Sequence, residues 1–229
     1  MAHVVVAFGH SFMEGLNHHF KQQSIDTPEL VAKSMNIDKH ISKLVLVGKS
    51  GAGSQNLMEL YNSLPSEIKE KIRGALIDIA SNEIAIDPSP NNYLLVLNRI
   101  MDFANFLKAQ GVRQVMIAQI LPRSKGLKVS TSQFSQGMGR FNGLLQSWCE
   151  SEEFFHYWVH AGFKAAPIMG PPHKAWSKDG IHPNSPKGRR LYKASVKYAC
   201  FKAIQEHVSK KQTRGGKKAR KAKAKAKLN

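Results

Sequence analysis

The sequence predicts an α/β fold, a parallel sheet with helices on both faces. Three observations carry this. Short apolar runs recur along the chain without the polar alternation of a strand that has one wet face. Segments with apolar residues at helical spacing separate them. Gly, Pro, Ser and Asn mark the joins.

Residues 3–8 form the first run. It stops at Gly9-His10-Ser11, and a helix is expected over 12–23. Residues 43–47 form the second, closed by Gly48-Lys49-Ser50-Gly51-Ala52-Gly53-Ser54. Ser54 suits the N-cap of a helix over 55–64. Residues 65–73 read as a short helical piece and 75–80 as the third strand. A Pro/Asn/Ser turn at 87–92 precedes a helix over 93–110, where Leu94, Leu97, Met101, Ala104 and Leu107 keep helical spacing before Gly111. Residues 112–121 are the fourth strand, 122–126 a basic loop, 132–150 a helix and 154–159 the fifth strand. A Pro/Gly loop at 160–178 leads to a last helix over 186–208. No internal repeat is visible.

The chain has 229 residues, 42% of them apolar, enough for one domain with a sizeable core, placed at 1–208. Its net charge of +18 is unevenly spread. Residues 209–229 hold ten Lys/Arg and no acid; setting those ten aside leaves +8 on 1–208. This tail has no apolar stripe and repels itself, so it is expected to stay disordered. Lys217, Lys218, Arg220, Lys221, Lys223, Lys225 and Lys227 would condense on RNA or DNA with little sequence preference. The same run resembles a nuclear or nucleolar address; the bland alternative is a solubilising tail. Two cysteines, Cys149 and Cys200, make no disulfide framework and suit a reducing compartment. The apolar run 4–8 is too short for a signal peptide or a membrane span. The expectation is a soluble intracellular protein, nuclear or cytoplasmic.

In parallel sheets the working residues gather beyond the carboxyl ends of strands, where Ser11, Gly51 and Asn82 fall. Ser11 stands between strand and helix, where its hydroxyl can project beside the helix-start amides; a plain N-cap is the alternative. The glycines at 48–53 do not form a phosphate loop. A Walker motif would need Gly at Lys43, and a dinucleotide fingerprint would need it at Asn56. What remains is a turn whose Gly51 N–H can approach a substrate oxygen. Asn82 carries a side-chain amide that can donate to an oxyanion. Near the end, Asp179 and His182 stand three apart in Ser177-Lys178-Asp179-Gly180-Ile181-His182-Pro183-Asn184, so the acid can orient the imidazole. His10, Glu14 and His18 share a helix face, read as a polar face, and no metal or cofactor is assigned. His156 and His160 flank Trp158 as packing residues. Arg123 and Lys125 follow the fourth strand, placed to meet an anionic substrate or nucleic acid or to be solvated.

Gly9-His10-Ser11, Ser50-Gly51-Ala52-Gly53, Ser81-Asn82-Glu83 and Asp179-Gly180-Ile181-His182-Pro183 fall in the order of the four blocks of SGNH (GDSL-type) hydrolases. The chain resembles that family over roughly residues 3–205. It is most similar to the SGNH-like modules of animal retroelement-related proteins, which also share Ile120-Leu121-Pro122-Arg123 and Arg140-Phe141-Asn142. The resemblance implies a flavodoxin-like three-layer α/β/α sandwich with a five-stranded parallel sheet. It also implies a carboxylic-ester hydrolase acting on a small ester. Ser11 would be the nucleophile, His182 the base and acid, and Asp179 its orienting partner. The Ser11 and Gly51 N–H groups and the Asn82 side chain would form the oxyanion hole. Three positions depart from the family pattern: His10 for Asp in the first block, Ala80 for Gly and Glu83 for Asp in the third. The Cβ at 80 and the longer acid at 83 are expected to tilt Asn82, and one lost oxyanion donor typically costs about a hundred- to a thousandfold in rate. The alternative is an inactive SGNH-like fold kept as an RNA- or DNA-binding module of retroelement origin; a protein-interaction scaffold is a third.

Overall fold

Among the described residues five strands build one sheet: β1 His3–Gly9, β2 Ile41–Gly48, β3 Ile72–Asp78, β4 Gln114–Ala118 and β5 Phe155–Trp158. The structure is a computed structural model that describes residues 3–163, 180–183 and 185–205. The spatial order is β2-β1-β3-β4-β5, with every neighbouring pair parallel. This is the flavodoxin-like order, in which the direction of strand addition reverses between β1 and β3. A cleft opens there by topology alone.

Among the described residues eight helices cover the sheet: α1 Ser11–Gln22, α2 Pro28–Ser34, α3 Leu57–Asn62, α4 Ser66–Lys69, α5 Ser81–Ile86, α6 Pro90–Ala109, α7 Thr131–Ser151 and α8 Pro186–Lys202. Strand β1 shows why there are three layers. Val4, Val6 and Phe8 pack with α3 to α7 on one face, while Val5 and Ala7 pack with α1, α2 and α8 on the other. Alternate side chains of an extended strand leave on opposite faces, so a central strand must be apolar throughout. The long helices start where local chemistry satisfies their first amides. Ser89 caps α6 and Ser185 caps α8, each followed by Pro; Ser130 and Gln133 form a reciprocal capping box on α7.

Several sequence expectations change. Ser54 does not cap a helix; it opens a 3-10 turn, Ser54–Asn56, ahead of α3. Strand β3 begins at Ile72, so Arg73 belongs to it, and it ends at Asp78 rather than residue 80. Helix α5 occupies a stretch between the expected third strand and the turn at 87–92 for which the sequence predicts no element, and Ala80 before it takes a left-handed φ of +85°. Helix α2, capped by Thr27 with Pro28 at its first position, is legible only as a capping signature too short for periodicity to reveal. Helix α8 stops at Lys202. The remainder of the expected last helix from residue 206, most of the loop at 160–178, Asp179, Asn184 and the basic tail lie outside the described residues.

Cys149 and Cys200 are buried free thiols on α7 and α8, both pushed up to about 12 chiefly by burial and therefore unreactive packing residues. No helix among the described residues is long and apolar enough to cross a membrane.

Candidate active site

Strands β2, β1 and β3 are neighbours, and register brings their carboxyl ends level: Gly9 pairs with Gly48 on one side and Asp78 on the other. The turns that follow must share one small space. Gly48 allows this, because a Cβ there would lie 2.2 Å from the Glu14 amide nitrogen.

At the end of β1, His10 rather than Ser11 is the N-cap of α1. Its Nδ1 accepts from the Phe12 N–H at 3.4 Å, and its carbonyl accepts from the Met13 and Glu14 N–H groups. His10 is therefore not on a helix face with Glu14 and His18. With Nδ1 an acceptor, the ring proton sits on Nε2, 3.2 Å from Ser81 Oγ in the first turn of α5. His10 is 2% exposed, and burial lowers it to about 4 despite the pull of the Asp78 carboxylate. It is neutral at physiological pH.

Relieved of capping, Ser11 sits at the first position of α1 with its hydroxyl between two imidazoles. His182 Nε2 lies 2.9 Å from Ser11 Oγ and His10 Nδ1 lies 3.4 Å from it. The two residues of the first pair are 171 positions apart. The His182 ring stands edge-on to Phe12, with centroids 5.6 Å apart. Its segment is docked on the loop after β4, where the Ser124 N–H donates to the Gly180 carbonyl at 3.0 Å. Gly180 has φ +65°, and a Cβ on it would lie 2.5 Å from Ser124 Oγ, so glycine is needed twice over. Asp179 lies outside the described residues.

Asn82 is in the first turn of α5, its amide fixed at both ends. Nδ2 donates to the Ala52 carbonyl at 3.0 Å, and Oδ1 accepts from Arg123 Nη1 at 3.1 Å. Arg123 is consequently not a surface cation awaiting a polyanion; it is 8% exposed and faces inward. Gly51 is at φ +74° in the turn after β2, with open space on its Cβ side. The departures at 80 and 83 have local accommodations. Ala80 adopts the left-handed backbone that favours glycine. Glu83 Oε1 accepts from Ser54 N–H at 2.8 Å and Ser54 Oγ at 2.5 Å, tying the β2 turn to α5. Asn82 is thus held rather than tilted loose.

No protein-family model matches the sequence, and no curated relative matches it either. Solved structures do. A GDSL-like lipase from Bacteroides thetaiotaomicron superposes with a TM-score of 0.60 at 18% identity, covering 87% of this chain and 88% of that one. A lipase from a goat rumen metagenome gives 0.60 at 15% identity, over 86% and 97%. A member of the lipolytic G-D-S-L family from Veillonella parvula gives 0.55 at 17%, over 84% and 96%. This chain has the SGNH (GDSL-type) hydrolase fold.

The same sheet also holds a buried Ser, His and Asp set. His160 Nδ1 lies 2.8 Å from Ser195 Oγ, which accepts from Trp158 Nε1 at 2.9 Å. His160 Nε2 lies 3.7 Å from Asp78 Oδ2, itself hydrogen-bonded by the Tyr192 hydroxyl at 2.5 Å. His160 is wholly buried, and burial lowers its pKa although Asp78 raises it. Every member of this network is buried or packed against α8, so it fastens that helix to the sheet and offers no surface to a substrate. His160 is accordingly a core histidine, beyond the end of β5 rather than on it, while His156 within β5 is half-buried.

Proposed function

We propose that this chain is a serine esterase of the SGNH type. The observation that carries the reading is the 2.9 Å approach of Ser11 Oγ to His182 Nε2 at the carboxyl edge of the sheet. His182 takes the Ser11 proton as Oγ bonds to an ester carbonyl carbon, and the carbonyl oxygen becomes an oxyanion. Donors to that oxygen are the Ser11 and Gly51 N–H groups and an Asn82 Nδ2–H. As the intermediate collapses, the C–O bond to the alcohol breaks and His182 returns its proton to the departing alkoxide. Water then attacks the acyl-enzyme, gives its proton to His182, and the acid leaves as Ser11 recovers its own. Asp179, three residues before His182, is the orienting partner of the imidazole. His10, lowered to about 4 by burial, is too weak a base to take the Ser11 proton. The substrate class is a small ester.

A fluorophosphonate probe tests this directly. The folded protein labels at Ser11, and Ser11→Ala removes the label. A folded wild-type chain that stays unlabelled rejects the esterase.

One observation favours a second reading: the +18 net charge, with ten basic residues concentrated in 209–229. In that reading the chain is an SGNH-like module of retroelement origin that binds RNA or DNA through Lys217, Lys218, Arg220, Lys221, Lys223, Lys225 and Lys227, with nuclear residence. The two are compatible, since a basic tail can hold an esterase on a polyanion. Salt-sensitive RNA binding without Ser11 labelling would leave the module alone standing.

A further inference from the structure

We propose that Arg123 is the positioning residue of this site, one guanidinium that fixes both the Asn82 amide and the loop beneath His182. The inference rests on the esterase reading for its kinetic consequence, though not for its geometry.

Arg123 lies in the loop after β4 and is almost wholly enclosed. Nη1 donates to Asn82 Oδ1 at 3.1 Å, Nη2 donates to the Gly126 carbonyl at 3.3 Å, and the guanidinium sits 5.8 Å from the Phe134 ring centroid. Among the described residues no carboxylate lies within ion-pairing distance of it, and Nε has no hydrogen-bond partner there. Burying a cation is costly, and desolvation lowers Arg123 to about 10. Neutral acceptors, an amide and a carbonyl, face it instead.

The chemistry of these partners decides the Asn82 orientation. Guanidinium only donates, so it accepts nothing but the oxygen end of the amide. The Ala52 carbonyl only accepts, so it takes an Nδ2–H at the other end. A flipped amide would place oxygen against oxygen and NH2 against guanidinium. Arg123 therefore directs the donor end of Asn82 toward the β2 turn and Gly51, and adds positive charge beside an oxygen that becomes negative in the transition state.

Its second arm reaches the acid–base side. Gly126 packs so closely on Ile181 that a Cβ would come within 2.7 Å of Ile181 Cδ1, and Ser124 N–H holds the Gly180 carbonyl. The loop that Nη2 grips is thus the platform for Gly180-Ile181-His182.

The test uses the full chain with a short-chain p-nitrophenyl ester. Arg123→Met lowers kcat by about a hundredfold with little change in KM, the pattern of a donor lost in the transition state. Because a large part of the Arg123 effect runs through Asn82, the Arg123→Met and Asn82→Ala losses do not multiply, and the double variant is only modestly worse than Asn82→Ala alone. Added guanidinium restores part of the Arg123→Met rate and none of the Asn82→Ala rate. Multiplying losses, or an Arg123→Met rate within about threefold of wild type, overturns the proposal. If Arg123→Met does not fold cooperatively, Arg123→Lys, which keeps charge but cannot span both acceptors, is judged by the same criteria. The Asn82 side-chain amide resonances, read by NMR, do not depend on activity. They are dispersed and protected in wild type and collapse toward solvent-averaged shifts in the Arg123 variant. Their persistence sinks the positioning role, whereas an inactive wild type with the NMR change sinks the esterase and leaves this role intact.

Discussion

Ser81 Oγ lies 3.2 Å from His10 Nε2, joining the first turn of α5 to the turn that presents Ser11. A buried neutral imidazole caps α1 with one nitrogen and holds the neighbouring strand end with the other. An imidazole in this place gives the turn its own response to acid.

That imidazole predicts acid lability. His10 falls from 6.5 unfolded to about 4 folded, so the folded state resists protonation. Its contribution is fully present above pH 6.5 and is lost as pH falls toward 4, about 3 kcal/mol over that window. His160 shifts in the same direction. Urea unfolding at pH 7.5 and 4.5 measures the loss, and His10→Asn, which retains a cap acceptor, flattens the His10 share. Equal slopes in both proteins would mean that His10 is not the sensor.

Ala80 sets strain against burial. A left-handed φ costs an L-residue roughly 1–2 kcal/mol, while its buried methyl returns about 0.8 kcal/mol and glycine adds an entropy cost of similar size. These terms nearly cancel, so Ala80→Gly changes stability by less than about 1 kcal/mol. Ala80→Val, β-branched in the same backbone, destabilises by more than about 2 kcal/mol. Denaturant midpoints decide, and a harmless valine would refute the strained turn.

The buried set around His160 is structural. Tyr192→Phe removes a hydrogen bond to the Asp78 carboxylate and destabilises by about 1.5–3 kcal/mol. Ser195→Ala likewise loses stability. Neither changes fluorophosphonate labelling at Ser11. A label found on Ser195 would reverse the assignment of the two serines.

Deleting residues 209–229 removes ten positive charges. RNA or DNA binding at low salt falls by most of its strength, and the salt dependence of what remains flattens. Mobility shifts across a salt series measure this. Unchanged binding would move the contact surface to the globule, where Arg140 and Lys125 remain candidates and buried Arg123 does not.

Much of this was legible from residue order. Five apolar runs alternating with helical periods required a parallel sheet, because such runs are stable only when covered on both faces. Ser11, Gly51 and Asn82 could be placed at strand ends for the same reason. Tertiary structure alone decided which side chains meet. The Ser11–His182, His10–Ser81, Ser54–Glu83 and Asn82–Arg123 pairs span 171, 71, 29 and 41 positions, and no local pattern encodes such contacts. His10 reads as a helix-face residue until it is seen to be the cap, and Arg123 reads as a solvated cation until burial shows it facing Asn82. Periodicity records which face a residue turns to the core; the partner waiting there is set by strand order and register, which only the folded chain contains.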